Sequence, residues 1–184
     1  MAAEFDLRLA TLEDIPALRP LIALSARKLQ AATYTTSQIE AALGTVLGVD
    51  TQLIRDGSYF IAESGNTIVG CGGWSRRKTL FGSDHSPVTD DRLLDPASEP
   101  ARVRAFFVHP DWARKGIGRA ILAECEAAAA RVGFQTLELV ATLAGVPLYL
   151  ACGFRPLEEI SVPLSNGEAL PGVRMQKRLA AVVW

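Results

Sequence analysis

The stretch Arg102–Leu122, RVRAFFVHPDWARKGIGRAIL, decides how this chain is read. Val103 to Val108 is an apolar run that predicts a strand, His109 and Pro110 predict a turn, and a glycine loop then opens a helix. Gly116 and Gly118 bracket Ile117. The first amides of a helix have no partner inside it, and the helix dipole adds partial positive charge there. Residues without a Cβ let a bulky anion approach those donors closely. Arg102, Arg104, Arg114, Lys115 and Arg119 surround the loop, against the single acid Asp111. The pattern predicts a cradle for phosphate, above all a pyrophosphate, with Arg114, Lys115, Gly116, Ile117, Gly118 and Arg119 as its residues. A branched side chain at Gly118 is expected to stand where phosphate oxygens belong. An ordinary strand-to-helix turn with solvated charges is the alternative. The mononucleotide loop GxxxxGK[ST] does not occur, and the dinucleotide fingerprint GxGxxG fails at its third glycine.

Downstream, Thr136–Leu143 (TLELVATL) predicts another buried strand. Ala144-Gly145-Val146-Pro147 and a short helix, LYLACGF, come next and end at Gly153-Phe154. Strand, glycine loop, helix, strand and a short helix with a tyrosine is an order that resembles the GNAT superfamily of N-acetyltransferases. The residues that carry it are Val108–Pro110, Gly116-Ile117-Gly118, and Tyr149 four residues before Gly153-Phe154. The family's loop usually opens with Arg or Gln three residues before its first glycine, where this chain has Ala113, followed by Arg114.

The resemblance, over roughly Leu7 to Arg178, implies an α/β (α+β) fold. It would be a single domain over residues 1–184 with a mixed, mostly antiparallel central sheet and helices on both faces. It implies that the Val103–Val108 strand splays from the Thr136–Leu143 strand, so that the pantetheine of acetyl-CoA, the implied cosubstrate, inserts between them. Phe107 and Val108 would face the thioester, with a backbone N–H near them holding its oxygen. Tyr149 would stabilise the leaving thiolate, or else only pack against the cofactor. The implied activity is acetyl transfer to a primary amine of a small molecule or peptide by direct attack. A non-catalytic acyl-CoA sensor or regulatory module is the alternative.

A base is harder to place. Along the cofactor strand Arg102, Arg104 and Phe106 share one parity and Val103, Ala105 and Phe107 the other, so neither offers a carboxylate. His85, which titrates in the useful range, and Glu63, at a strand end, are the candidates, with a water chain as a substitute. His109 reads as a turn former.

Elsewhere, Phe5, Leu7 and Leu9 alternate with Asp6 and Arg8 as a half-buried strand. Thr11 and Asp14 form a capping box before a helix with Leu12, Ile15, Leu18, Ile22 and Leu29 on its apolar face. A second helix is expected from Ser37 to near Gly48. Tyr59–Glu63 and Thr67–Ser75 read as a hairpin closed by Ser64-Gly65-Asn66. The cofactor-side helix is expected over Arg119–Val132, with Ile121, Leu122, Cys125, Ala128, Ala129 and Val132 inward. Residues 78–100 have no period and carry Asp84, Asp90, Asp91, Asp95 and Glu99 against Lys78 and Arg92. That segment is expected to be either a solvated loop or a lid over the acceptor site that attracts a cationic amine. The C-terminal strands around Ser165-Asn166-Gly167 could pair across a homodimer.

The bulk properties are ordinary for a soluble globular protein. The 184 residues are 49% hydrophobic and 21% charged, with a net charge of -1, which argues against a general nucleic-acid binder. Three widely spaced cysteines, Cys71, Cys125 and Cys152, read as small buried hydrophobes rather than a disulfide framework or metal site. The start, MAAEFDLRLATLED, does not read as a signal peptide, and no run is long enough for a membrane span. No metal or membrane partner is expected, and the cytoplasm is the expected compartment.

Overall fold

The computed structural model describes residues 4–86 and 90–180. In chain order it contains β1 (Asp6–Leu9), α1 (Ile15–Leu29), α2 (Thr36–Leu43), α3 (Thr51–Arg55), β2 (Tyr59–Ser64), β3 (Thr67–Ser75) and β4 (Ala101–Val108). Next come α4 (Ile117–Val132), β5 (Thr136–Thr142), α5 (Val146–Ala151), β6 (Arg155–Pro163) and β7 (Ala169–Arg178). The strands make one sheet in the order β1-β2-β3-β4-β5-β7-β6. All neighbours are antiparallel except β4 and β5, which are parallel. This is the expected mixed sheet.

Helices cover both faces. On one, α4 buries Ile117, Ile121, Leu122, Cys125 and Ala129 against Val69, Val103, Leu137, Leu139 and Met175. On the other, Leu18, Leu21 and Ile22 of α1 and Leu53 and Ile54 of α3 pack on Tyr59, Ile61, Cys71 and Phe107. Each such aliphatic side chain taken from water contributes about 1.5–3 kcal/mol before chain entropy is charged against it. Three residues depart from the expected stripes. Val132 is exposed at the end of α4, Leu29 is exposed at the end of α1, and Leu12 is exposed in a 3₁₀ turn that precedes α1. The capping box of Thr11 and Asp14 does form, on that turn.

α2 starts one residue earlier than Ser37 because Thr35, not the serine, caps it by accepting from Gln38 N–H at 3.1 Å. It ends at Leu43, well short of Gly48. The short α3 has no apolar period to announce it; Asp50 caps it by accepting from Leu53 N–H. β7 lies between β5 and β6, which leaves β6 as a free edge. Pro156 and Pro163 interrupt its N–H row and Glu158 and Glu159 add charge, features that oppose further pairing.

Two irregularities lie in the middle of the sheet. β4 and β5 pair only at Ala101–Leu137 and Arg102–Glu138, after which the strands part. β4 also bulges, with Ala105 and Phe106 standing opposite Gly72 of β3. A Cβ at Gly72 would lie 2.5 Å from the Phe106 ring, so only glycine lets the bulged strand sit this close. Ala105 takes a left-handed φ of 60°, and the Tyr59 hydroxyl donates to its carbonyl at 2.8 Å. A tyrosine buried under the sheet thus ties down the bulge.

Candidate active site

The parting of β4 and β5 opens a cavity of about 650 Å³. At one end it meets the loop between the 3₁₀ turn Pro110–Trp112 and α4. His109 shapes that turn, its Nδ1 accepting from Asp111 N–H at 3.2 Å. Gly116 is the N-cap of α4 with φ 91°, and no heavy atom lies within 4 Å of where its Cβ would be. Its backbone needs glycine, and the space beside it is open. Gly118 has a different reason: a Cβ there would lie 2.9 Å from Leu148, so its smallness lets α5 approach α4. A branched side chain at Gly118 therefore meets Leu148, a packing contact that the phosphate argument alone does not foresee.

Of the residues expected to meet the cofactor, Phe107, Val108, Arg114, Gly116, Ile117, Gly118 and Arg119 all line the cavity. The Ile117 side chain is buried in the core, so its contribution there is main-chain. Arg114 comes after Ala113 with φ 65°, an unusual conformation for a residue with a side chain. Lys115 is not among the lining residues; its ammonium sits 4.9 Å from the centre of the Trp112 ring. Arg102 and Arg104, part of the basic cluster in sequence, are committed elsewhere. Arg102 pairs with buried Glu138 at 2.9 Å, and Arg104 pairs with Asp50 at 3.1 Å.

Tyr149 lies on α5 with its ring edge-on to Phe106 and Phe154, 6.2 and 5.6 Å between centroids. Burial pushes its phenol well above the ordinary value, so it stays protonated and able to donate. Its hydroxyl makes no hydrogen bond among the described residues. Phe107 pairs with Cys71 in the β3–β4 ladder, whereas the Val108 N–H donates at 3.1 Å to Ser25 Oγ of α1. Ser25 is buried and lines the cavity.

The structure does not bring Glu63 or His85 to Tyr149. Glu63 closes an ion pair with Arg8 at 3.1 Å near the β1 edge of the sheet. His85 is exposed in the loop after β3, and neither residue lines the cavity. Within the described part of the 78–100 segment, which excludes residues 87–89, four of the five acids have nearby partners. Asp84 accepts from Thr51, Asp90 pairs with Lys78, Glu99 with Arg92, and Asp95 caps its own turn at Ala97 and Ser98. The segment instead contributes Leu80, Phe81 and Gly82 to the cavity wall.

Ser25, Gln30 and Asp50 are polar residues near the cavity that the sequence did not single out. Ser25 had a signal: it falls on the inward stripe of α1, between Ile22 and Leu29. Asp50 is the cap of a helix too short to show a period.

Burial pushes the Cys71 thiol up to about 12, which makes it a poor nucleophile. Among the described residues no cluster of His, Cys, Asp and Glu could hold a metal ion. No helix among them is long and apolar enough to cross a membrane.

Comparisons with known proteins agree with this architecture. A GCN5-related N-acetyltransferase from Rhodopseudomonas palustris superposes with a TM-score of 0.72 at 20% identity, covering 97% of this chain and 98% of that one. A putative acetyltransferase of Salmonella typhimurium, yncA, solved with its cofactor acetyl-CoA, gives 0.63 at 17% identity, covering 99% and 98%. The PaiA N-acetyltransferase of Thermoplasma acidophilum, solved with coenzyme A, gives 0.64 at 14% identity, covering 96% and 99%. At these identities the likeness establishes the fold. No curated protein sequence matches the chain. The sequence model of the acetyltransferase (GNAT) domain matches residues 55–156, more than half of the chain, and takes in β2 to β5, the glycine loop and Tyr149. The chain therefore belongs to the GNAT acetyltransferase family.

Proposed function

We propose that this protein transfers the acetyl group of acetyl-CoA to a primary amine. The observation that carries the reading is the continuity of one cavity from the open glycine N-cap of α4, past the free edges of β4 and β5, to Tyr149. The residues present fit the cosubstrate. The amides at Gly116–Arg119, with Arg114 and Arg119 beside them, suit a pyrophosphate. The parted strands offer unpaired backbone groups to a pantetheine arm. Their apolar walls keep water from the thioester.

In the proposed step the amine nitrogen forms a bond to the acetyl carbon, the C–S bond breaks, and the sulfur leaves as a thiolate. The amine gives up a proton, and the thiolate takes up a hydrogen bond or a proton. Tyr149 serves the thiolate. Because its phenol resists ionisation, it acts as a hydrogen-bond donor first, and full transfer is secondary. Ser25 serves the carbonyl oxygen as it gains charge. Its lone pair already accepts Val108 N–H, and its own proton has no acceptor among the described residues. Among the described residues no Asp, Glu or His lines the cavity. An alkylammonium with an ordinary pKa of about 10.4 is therefore neutralised by desolvation, its proton passing to water.

A second reading, a non-catalytic acyl-CoA sensor, draws support from that same acid-free lining. Steady-state release of free thiol from acetyl-CoA in the presence of an amine, with acetylated amine recovered in equal amount, tests the two. Turnover establishes the transferase, and saturable acetyl-CoA binding without turnover establishes the sensor.

A further inference from the structure

The end of the cavity away from the glycine loop adjoins a second, smaller pocket of about 60 Å³, bounded by the chain after α2 and by β5 and β7. Among the described residues none from the glycine loop or α4 lines this pocket. It shares Val46, Leu47, Phe81, Val140 and Thr142 with the main cavity, so these residues form a wall common to both spaces. The wall is fastened in place. Ser83 Oγ donates to Thr45 O at 2.5 Å, and Asp84 N–H donates to Val49 O at 3.0 Å. The loop that carries Phe81 is thereby tied to the chain on both sides of Val46 and Leu47. Phe81 itself is 37% exposed, an aromatic side chain held beside open space. An apolar group laid on it gains by leaving water.

Charge and hydrogen bonding narrow what can lie there. Among the described residues no acid lines either space. The charged residues of the main cavity are Arg114 and Arg119, at the glycine-loop end, and Arg104, which is paired with Asp50 at 3.1 Å. A second ammonium on the acceptor would meet no counter-charge. In the small pocket the Tyr34 hydroxyl is already engaged, donating to Pro171 O at 2.6 Å and accepting from Leu143 N–H at 2.9 Å. Thr142 supplies the remaining side-chain hydroxyl. A polar acceptor would lose its water there for little return.

We infer that the acceptor is a monoamine whose remaining part is apolar, an aralkyl or alkyl amine, and that Phe81 sets how large that part can be. The amine nitrogen stands toward the thioester, and the apolar group lies on Val46, Leu47, Phe81 and Val140. A long acyl chain on the thioester would fill the space that the amine itself has to occupy. This assignment rests on the acetyl-transfer reading and narrows it.

The test is a thiol-release assay with acetyl-CoA and four amines: phenethylamine, phenylbutylamine, ethanolamine and spermidine. Phenethylamine is expected to exceed ethanolamine at least about tenfold in kcat/KM, the effect of taking its ring out of water. Spermidine is expected to be the poorest. Phe81→Ala opens the common wall, and should raise the ratio of phenylbutylamine to phenethylamine in kcat/KM at least about tenfold while leaving KM for acetyl-CoA unchanged. A loss shared equally by both amines would overturn the role of Phe81. Ethanolamine equal to phenethylamine, or spermidine as the best substrate, overturns the apolar subsite while leaving the transferase intact. Hexanoyl-CoA as a better donor than acetyl-CoA, with an advantage that Phe81→Ala removes, gives the wall to the acyl chain and also overturns the assignment. If no amine releases thiol, equilibrium binding of N-acetylphenethylamine to the coenzyme A complex decides. Saturable binding weakened by Phe81→Ala upholds the subsite and places the failure on transfer, and no binding overturns the subsite.

Discussion

The two ends of the cavity are built on opposite principles. At the glycine loop, the groups proposed to face the cosubstrate are main-chain amides set by consecutive residues, and they follow one left-handed glycine, Gly116. At the acceptor end the groups are side chains delivered from far apart: Ser25, Leu29 and Gln30 from α1, Val46 and Leu47 after α2, Leu80 and Phe81 from the loop after β3, and Arg104 from β4. The first arrangement is encoded locally and tolerates changes of side chain. The second exists only once the sheet has formed, and it depends on the identity of each side chain. A constant cosubstrate suits the first end and a variable acceptor the second.

Substitutions can break this contrast. The largest effect is expected for Gly116→Val. A β-branched residue resists φ 91°, while its Cβ meets nothing, so the loss comes from the backbone alone. Affinity for acetyl-CoA should fall about a hundredfold or more in equilibrium titration, with every acceptor affected equally. An unchanged affinity would remove main-chain amides as the grip. Tyr149→Phe tests the junction of the two ends: kcat should fall at least about tenfold with little change in KM. An effect on KM alone would leave the ring as packing between Phe106 and Phe154.

Ser25→Ala sharpens the oxyanion assignment. If the hydroxyl is the donor, kcat should fall about tenfold while acetyl-CoA still binds. A rise in kcat would instead make the unmasked Val108 N–H the donor. Smallest of all is the expected effect of His85→Ala, within about twofold, since His85 stands outside the cavity. In both the wild type and this variant, kcat/KM should climb steadily from about pH 7 to 9 as more of the amine becomes neutral. An inflection seen in the wild type and lost in the variant would return the histidine to the reaction.

The same contrast explains what could be read before the structure. The strand, glycine loop and helix from Val103 to Val132, the hairpin at Gly65-Asn66 and the helix bearing Tyr149 each carry a local pattern, and each formed within a residue or two of its expected bounds. Charge near the loop was legible, but its destination was not. Arg102 and Arg104 sit close to the glycines in sequence, yet pair with Glu138 and Asp50, which only the folded sheet brings near. The acids of the 78–100 segment looked like a field for an amine because sequence does not show which of them are paired: Asp90 and Glu99 take partners inside the segment, and Asp84 takes Thr51 from α3. Glu63 and His85 were candidates for their chemistry alone, and topology sent both elsewhere. Ser25 was written in the stripe of α1 as a polar residue between Ile22 and Leu29; such a break is the one trace a long-range site left in a local pattern.

Thermal unfolding with acetyl-CoA, against ADP as a phosphate-bearing fragment, tests the central claim that this cavity holds the whole cosubstrate. At a hundredfold excess over Kd, binding should stabilise the fold by about 2.7 kcal/mol. For a chain of this length that raises Tm by roughly 5–10 °C, and ADP should give a clearly smaller shift. A full shift with ADP would confine binding to the loop, and no shift with saturating acetyl-CoA would contradict the account.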